Sequence, residues 1–459
     1  MLYCEYLQKF KIMIVLKFGG TSVGSVENFR KVANIVNEEA GPKIVVLSAM
    51  SGVTNTLVSI CENLDLGKSE EAILLINALN DKYNEVARDL LEDNDLFYKA
   101  QVFLNKHHHQ LLSLASLKFT SLEERIIMAE GELVSTNLFQ LYMEERGDSE
   151  LLSALDFMHI DKFGEPVGNV IQDRLQKVLA NHTSKKTFIT QGFICRNEKG
   201  EIDNLKRGGS DYSASLIGSA VDAKQIQIWT DIDGMHNNDP RYVDQTFSVK
   251  EISFPEAAEL AYFGAKILHP QSIIPAQEKN IPVLLKNTFK PESKGTLIHN
   301  KADAQRIRAI AAKDKITAIK IKSYRMLMAY GFLKKVFEVF EENKTSIDMI
   351  TTSEVAVSLT VDDTSKLDDI IRDLNGFGNI EVDSDLSIIC IAGDLAQNKK
   401  GITSAIFNGL RDIPIRMISY GGSNYNLSFL VKTTDKIAVL NILNQELFPA
   451  LKAENEILA

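Results

Sequence analysis

Ile14-Val-Leu-Lys-Phe-Gly-Gly-Thr-Ser-Val23 decides how the rest of the chain is read. Five β-favouring residues, Ile14 to Phe18, run into Gly19-Gly20, so a strand ends where a backbone without side chains can approach a ligand. Lys43 to Ser48 (KIVVLS) repeats the pattern, and further strand-like runs follow at Thr187 to Ile194, Ile226 to Thr230 and Ile281 to Lys286. Between them, from about Glu70 to Arg146, apolar residues recur at spacings of 3 and 4, which predicts several amphipathic helices. Ser213 to Ala220 and Pro255 to Phe263 read as helices too. Strands alternating with helices predict an α/β fold, a mostly parallel sheet sandwiched by helices.

Lysine at a strand end followed by two glycines suits a phosphate: backbone N–H groups approach it while the ammonium neutralises its charge. The spacing matches neither G-x-x-x-x-G-K-[ST] nor G-x-G-x-x-G. A second glycine pair stands in Arg207-Gly-Gly-Ser-Asp211, directly before the small-residue helix YSASLIGSAV. Ser210 and Asp211 are N-cap candidates, the helix N-terminus adds partial positive charge, and Arg207 offers a two-pronged grip on a carboxylate. A capped surface helix accounts for the serine and aspartate but for neither the arginine nor both glycines. Two more blocks, Trp229-Thr-Asp-Ile-Asp-Gly234 with Asn238-Asp-Pro-Arg241, and Phe263-Gly-Ala-Lys266 with Ile267-Leu-His-Pro270, complete the set of loops.

Bulk properties narrow the partners. With 459 residues, two or three domains are expected. A net charge of −10 without any concentration of Lys and Arg argues against nucleic acid. Cys4, Cys61, Cys195 and Cys390 lack metal or disulfide spacing, and no apolar run reaches the ~18 residues of a membrane span, so a cytoplasmic protein without a membrane partner is expected. Met13 directly precedes the first strand and is a plausible translation start. His107-His-His109 cannot converge on one metal ion, because successive helical side chains diverge by about 100°; a solvated helix face is expected, and no metal site.

Composition changes near Pro291 to Gln305, and the segment beyond contains a repeat. Ile347, Met349 and Ile350 in SIDMITTSEVAVSLTV match Ile415, Met417 and Ile418 in PIRMISYGGSNYNLSFLV, and each copy reads helix, strand, strand, helix. Two small α+β units of βαββαβ type are expected, with free strand edges suited to side-by-side pairing and to a ligand pocket.

KFGGTSV, LSAMSGVTN, QGFI…RGGSDYSA, IWTDIDG…DPR, FGAKILHP and ITTSEV, in this order from Met13 to about Phe448, resemble the aspartokinases of the amino acid kinase family. The resemblance implies an amino acid kinase domain at 13–298 and a regulatory region at 306–459 with two ACT domains, about 316–385 for the first and about 306–315 with 386–448 for the second. It implies transfer of the ATP γ-phosphate to the β-carboxylate of L-aspartate, the first step of lysine, threonine and methionine biosynthesis. ATP is then a co-substrate, with Mg2+ bound through the nucleotide. Lys17 and Lys266 would neutralise the transferred phosphoryl group, and Asp211 would orient those lysines. Glu132 would meet the aspartate ammonium and Arg207 its α-carboxylate, with Thr54, Phe193 and Ser210 lining the pocket. Gly19, Gly20, Thr230, Asp231 and Arg241 would face the nucleotide. His236 stands where the family usually has tyrosine, and is left out of the site. An acceptor carboxylate with a pKa of about 3.9 is already ionised, so the chemistry needs no general base.

Tandem ACT domains bind feedback inhibitors in this family. Met326, Phe332, Leu333, Ser346, Ile347, Asp348, Thr352, Ser353 and Glu354 match the effector positions of lysine-sensitive members, and two carboxylates, Asp348 and Glu354, suit a ligand with two ammonium groups. Arg416 replaces Asp348 in the second copy, and Ala329 stands where a serine is usual. Lysine is the expected effector, with threonine second, and pairing of ACT edges implies a homodimer or higher homo-oligomer. The competing readings are a kinase of glutamate, N-acetylglutamate or carbamate, which the tandem module disfavours, and a catalytically silent amino-acid sensor, which the two lysines and Asp211 disfavour.

Overall fold

The structure, a computed structural model, describes residues 13–182, 184–205, 208–263, 268–300, 307–326, 330–395 and 400–448. Arg207, Lys266 and Ala329 lie outside the described residues. The chain divides into two compact units. Met1–Met235, Lys250–Phe254 and Leu268–Ala302 form the first; His236–Val249, Pro255–Ile267 and Asp303–Ala459 form the second.

An eight-stranded sheet organises the first unit. Its strands are β1 (Ile14–Phe18), β2 (Lys43–Leu47), β3 (Ser149–Leu152), β4 (Thr187–Gln191), β7 (Gln225–Thr230), β8 (Glu251–Ile252), β9 (Val283–Asn287) and β10 (Thr296–Ile298). A separate hairpin pairs β5 (Ile194–Arg196) with β6 (Ile202–Asn204). The order in the sheet is β3-β4-β2-β1-β7-β9-β10-β8, parallel throughout except where β10 runs against β9. Every residue of β1, β2 and β4 is buried, which is why these strands read as unbroken apolar runs: both sheet faces are covered.

Helices α1 (Val26–Glu38), α2 (Val53–Asp65), α3 (Ser69–Leu90), α4 (Asn94–Ala115) and α5 (Ser121–Glu144) share one apolar core with the strands. Three of these five starts are fixed by side chains. Ser25 accepts from the Asn28 N–H, Asp93 from Asp95 and Leu96, and Thr120 from Leu122, which satisfies amides that the helices cannot pair themselves. Helices α6 (Gly168–Ala180) and α7 (Gly209–Ala220) also belong to this unit.

In the second unit, the antiparallel order is β12 (Ile350–Thr352), β13 (Ala356–Val361), β11 (Ile307–Lys322), β14 (Asn379–Gly393), β16 (Asn426–Lys432) and β15 (Met417–Tyr420). Strands β11 and β14 are long enough to serve both halves. The Thr317–Lys322 part of β11 pairs with β13, while Leu386–Ala392 of β14 pairs with β16. Ile350 faces Leu359 in one half as Ile418 faces Phe429 in the other, so the repeat expected from the sequence is present in the pairing. Helices α9 (Phe332–Glu342) and α10 (Leu367–Leu374) cover the first half; α11 (Ile402–Asn408) and α12 (Lys436–Leu447) cover the second. Helix α8 (Phe254–Phe263) enters this unit from Pro255 on. No helix among the described residues is long and apolar enough to cross a membrane.

The turn from β9 into β10 depends on one residue. Gly295 has φ +69°, and a Cβ there would lie 1.8 Å from the Leu285 carbonyl oxygen, a backbone atom that cannot yield. Gly295→Ala is therefore expected to cost more than about 2 kcal/mol, from left-handed strain and overpacking together. Denaturant unfolding measures it; an unchanged midpoint would show that the turn relaxes freely.

Candidate active site

Parallel strands all end on the same edge of a sheet, and loops leaving those ends form a natural crevice. Here β1, β2, β4 and β7 deliver Lys17, Ser48 with Ala49, Phe193, and Thr230 with Asp231 to that edge. Lys17 Nζ lies 2.7 Å from Asp211 Oδ1, with the two side chains 11% and 18% exposed. Asp211 is in the first turn of α7, where its negative charge also meets the positive end of the helix.

Glycines let these loops close on one another. A Cβ on Gly20 would stand 2.9 Å from the Ala49 carbonyl oxygen, and one on Gly192 would collide with Ser210 Oγ at 2.3 Å. Gly19 holds its N–H against the Trp229 carbonyl, which ties the ends of β1 and β7. Ser48 Oγ donates to Ser210 Oγ at 2.9 Å, and Ser135 Oγ donates to the Ser48 carbonyl at 2.8 Å. Phe193 adopts φ +64°, unusual for a side chain of its size, and its N–H donates to Ser213 Oγ. Such strain marks a position held by its surroundings.

Glu132 projects from the middle of α5 and is 6% exposed. Its Oε1 accepts the Ala49 N–H at 3.1 Å. Burial pushes its carboxyl up to about 7, although the Ala49 N–H and the Lys17 charge both oppose the shift. Thr54 is exposed in the first turn of α2. On the far side, Thr230 Oγ1 donates to Asp231 Oδ1 at 3.0 Å, and Asn287 Nδ2 donates to the Asp231 carbonyl. Arg241 belongs to the second unit, where it grips Asp239 through Nε at 2.9 Å and Nη2 at 2.6 Å.

Three details differ from the sequence reading. Helix α7 is capped by Gly208, at φ +67°, and neither Ser210 nor Asp211 serves as N-cap; both are inside the helix and free to serve the crevice. His107 is not on a solvated face: its side chain is 14% exposed and its Nδ1 lies 2.5 Å from Glu130 Oε2. Ser48, Ser135 and the Ala49 amide were not anticipated as site groups, although LSAMSG announces a small-residue turn.

In the second unit the nine effector candidates form two groups. Met326, Phe332, Leu333, Ser346, Ile347 and Asp348 lie around the start of α9 and the approach to β12. Thr352, Ser353 and Glu354 are exposed at the end of β12 and the turn after it, the first two lining a cavity of about 910 Å3 with Lys320, Lys322 and Phe377. Asp348 is already engaged. Its Oδ1 accepts Lys313 Nζ at 2.7 Å and Tyr262 OH at 2.8 Å, and its side chain is 1% exposed.

Comparison with known proteins identifies the family of the fold. Residues 13–287 match the amino acid kinase family, and residues 389–447 match the ACT domain. Lysine-sensitive aspartokinase 3 of Escherichia coli is 34% identical over 95% of this chain and 99% of its own. Two crystal structures of Escherichia coli aspartokinase III, each 34% identical, superpose over 95% of the chain. The complex with aspartate and ADP has a TM-score of 0.81 and is covered over its whole length. The complex with lysine and aspartate has a TM-score of 0.80 and is covered over 99%. With its parallel-sheet crevice, its ACT half and full-length similarity of this degree, the chain belongs to the aspartokinases of the amino acid kinase family.

Proposed function

We propose that the chain transfers the γ-phosphoryl group of ATP to the β-carboxylate of L-aspartate, giving 4-phospho-L-aspartate, the opening step toward lysine, threonine and methionine. The observation that carries this reading is the Lys17–Asp211 pair at the strand ends beside a buried, cation-seeking Glu132. Aspartate is held by Glu132 at its ammonium and by Arg207 at its α-carboxylate, with Thr54, Phe193 and Ser210 around it. A carboxylate oxygen attacks the γ-phosphorus as the bond to the β-phosphate oxygen breaks, and ADP leaves. No proton has to be removed from the acceptor. Two anions must meet, so the work is positioning and charge neutralisation. Lys17 and Lys266 supply cations, Gly19 and Gly20 admit the phosphates, Thr230, Asp231 and Arg241 serve the nucleotide, and Mg2+ entering with the nucleotide would supply further positive charge against its phosphates. The ADP and aspartate bound by the Escherichia coli relative support this assignment.

Regulation follows the same comparison. L-lysine, bound by that relative in its second complex, is the proposed effector, taken up around α9 and β12. One of its ammonium groups would have to share Asp348 with Lys313, so Glu354, which is exposed, is the more accessible anchor. Strands β12 and β15 end the hydrogen-bonded order of the six-stranded sheet, and a second copy of the chain is the proposed partner of this ACT half.

Three measurements test these assignments. Lys17→Met, which keeps the aliphatic bulk, is expected to lower kcat by at least about 10²- to 10³-fold with little change in melting temperature; near-normal turnover would refute the assignment. Glu132 must be ionised to hold an ammonium, so KM for aspartate should rise as pH falls through about 7, approaching tenfold per pH unit. The raised carboxyl acts oppositely on folding: its stabilisation, complete below 4.5, is lost as pH rises through about 7 in the substrate-free protein. Glu132→Gln should make KM high and independent of pH, and a flat wild-type profile from about pH 6 to about pH 8 would contradict this role. Finally, lysine and threonine are tested separately as inhibitors; suppression by threonine with lysine inert at millimolar levels would overturn the effector assignment.

A further inference from the structure

Glu130 and Glu132 are two residues apart on α5 and therefore project to opposite sides of the helix, about 200° apart. Glu132 faces the loop after β2. Glu130 faces α3 and α4 and is 1% exposed, a costly place for a carboxylate. Its Oε2 lies 2.5 Å from His107 Nδ1, while Oε1 has no hydrogen-bond partner among the described residues. The cavity beside it, lined by Tyr83, His107 and Glu130, is about 10 Å3, roughly one water molecule and no hydration shell. The imidazole is itself seated, its ring 4.2 Å from that of Phe103.

Between the two acids stands Gly131, where a Cβ would lie 2.6 Å from Ala49 Cβ, so α5 packs on the substrate loop without slack. A helix fitted this closely transmits rotation. If Glu130 lost its partner, the unpaired carboxyl, packed against α3 and α4, would shift this side of α5, and any such shift moves Glu132 in the crevice.

We propose that His107 is a positioning residue for the reaction: by holding Glu130 it fixes the rotation of α5, and so aims Glu132 at the ammonium of the acidic amino acid. The proposal rests on the reading of Glu132 given above. It assigns a role to a side chain that touches no substrate, carried on a different helix from the acid it orients.

Steady-state kinetics and thermal unfolding of four variants test it. His107→Leu should raise KM for aspartate about tenfold or more, with KM for ATP changed less than about twofold. His107→Asn, whose amide nitrogen reaches roughly the place of Nδ1, should restore KM. So should His107→Leu combined with Glu130→Met, which leaves no buried carboxylate to relieve and folds even where the single leucine variant does not. An unchanged KM for aspartate in His107→Leu overturns the proposal, as does an equal rise in both KM values that the double variant fails to relieve. Glu132→Gln separates the two levels. If it raises KM for aspartate while the His107 variants do not, the positioning role alone is lost; if it leaves KM unchanged, the underlying role of Glu132 falls and the proposal with it.

Discussion

A lysine ammonium placed at the end of a buried central strand needs an anion beside it, and the 2.7 Å contact between Lys17 and Asp211 supplies one. Strand β1 lies between β2 and β7, so the position of this pair is set by the best-buried part of the sheet. Buried ion pairs add little net stability, because desolvation offsets most of the attraction. What the pair contributes is a fixed location for positive charge. Around it, Gly20 and Gly192 let neighbouring loops approach to distances that a side chain would forbid. Glu132 completes the arrangement from α5, where burial holds its carboxyl above the usual carboxylate range.

The second unit uses a different economy. Two long strands, β11 and β14, run through both halves of one sheet, so the halves cannot shift independently without disturbing shared hydrogen bonds. Asp348 sits in this unit with Lys313 and Tyr262 on one oxygen, and Lys313 also reaches Asp362 at 2.9 Å. Tyr262 belongs to α8, the helix directly preceding the segment that carries Lys266. An effector that draws on Asp348 therefore competes for a carboxylate already tied to α8.

Much of this was legible in the sequence, and the exceptions share a cause. Strands β1, β2, β4 and β7 announce themselves because burial on both faces demands unbroken apolar runs. The four-residue β3 and the two- and three-residue β8 and β10 carry too few residues for any pattern. Lys17, Asp211 and Glu132 were identified by motif, and the fold gathers them at one edge. The failures concern pairs distant in the chain. His107 reads as one of three solvated histidines because Glu130 is 23 residues away, and Asp348 reads as a free carboxylate because Lys313 and Tyr262 are 35 and 86 residues away. Local periodicity records which face of a helix is apolar, not which polar partner waits across the core. The Gly208 cap was missed for a related reason: Ser210 and Asp211 are good caps by type, but a left-handed glycine starts the helix before them.

The most direct measurement concerns the product. An acyl phosphate reacts with hydroxylamine to give a hydroxamate, whereas a phosphate ester or a simple ATP hydrolysis does not. Incubation with ATP, Mg2+, hydroxylamine and, in separate reactions, aspartate, glutamate or N-acetylglutamate should yield hydroxamate from aspartate in step with ADP. ADP without hydroxamate, or hydroxamate formed from N-acetylglutamate in preference to aspartate, would contradict a crevice built around Lys17, Asp211 and a carboxylate waiting for a free ammonium.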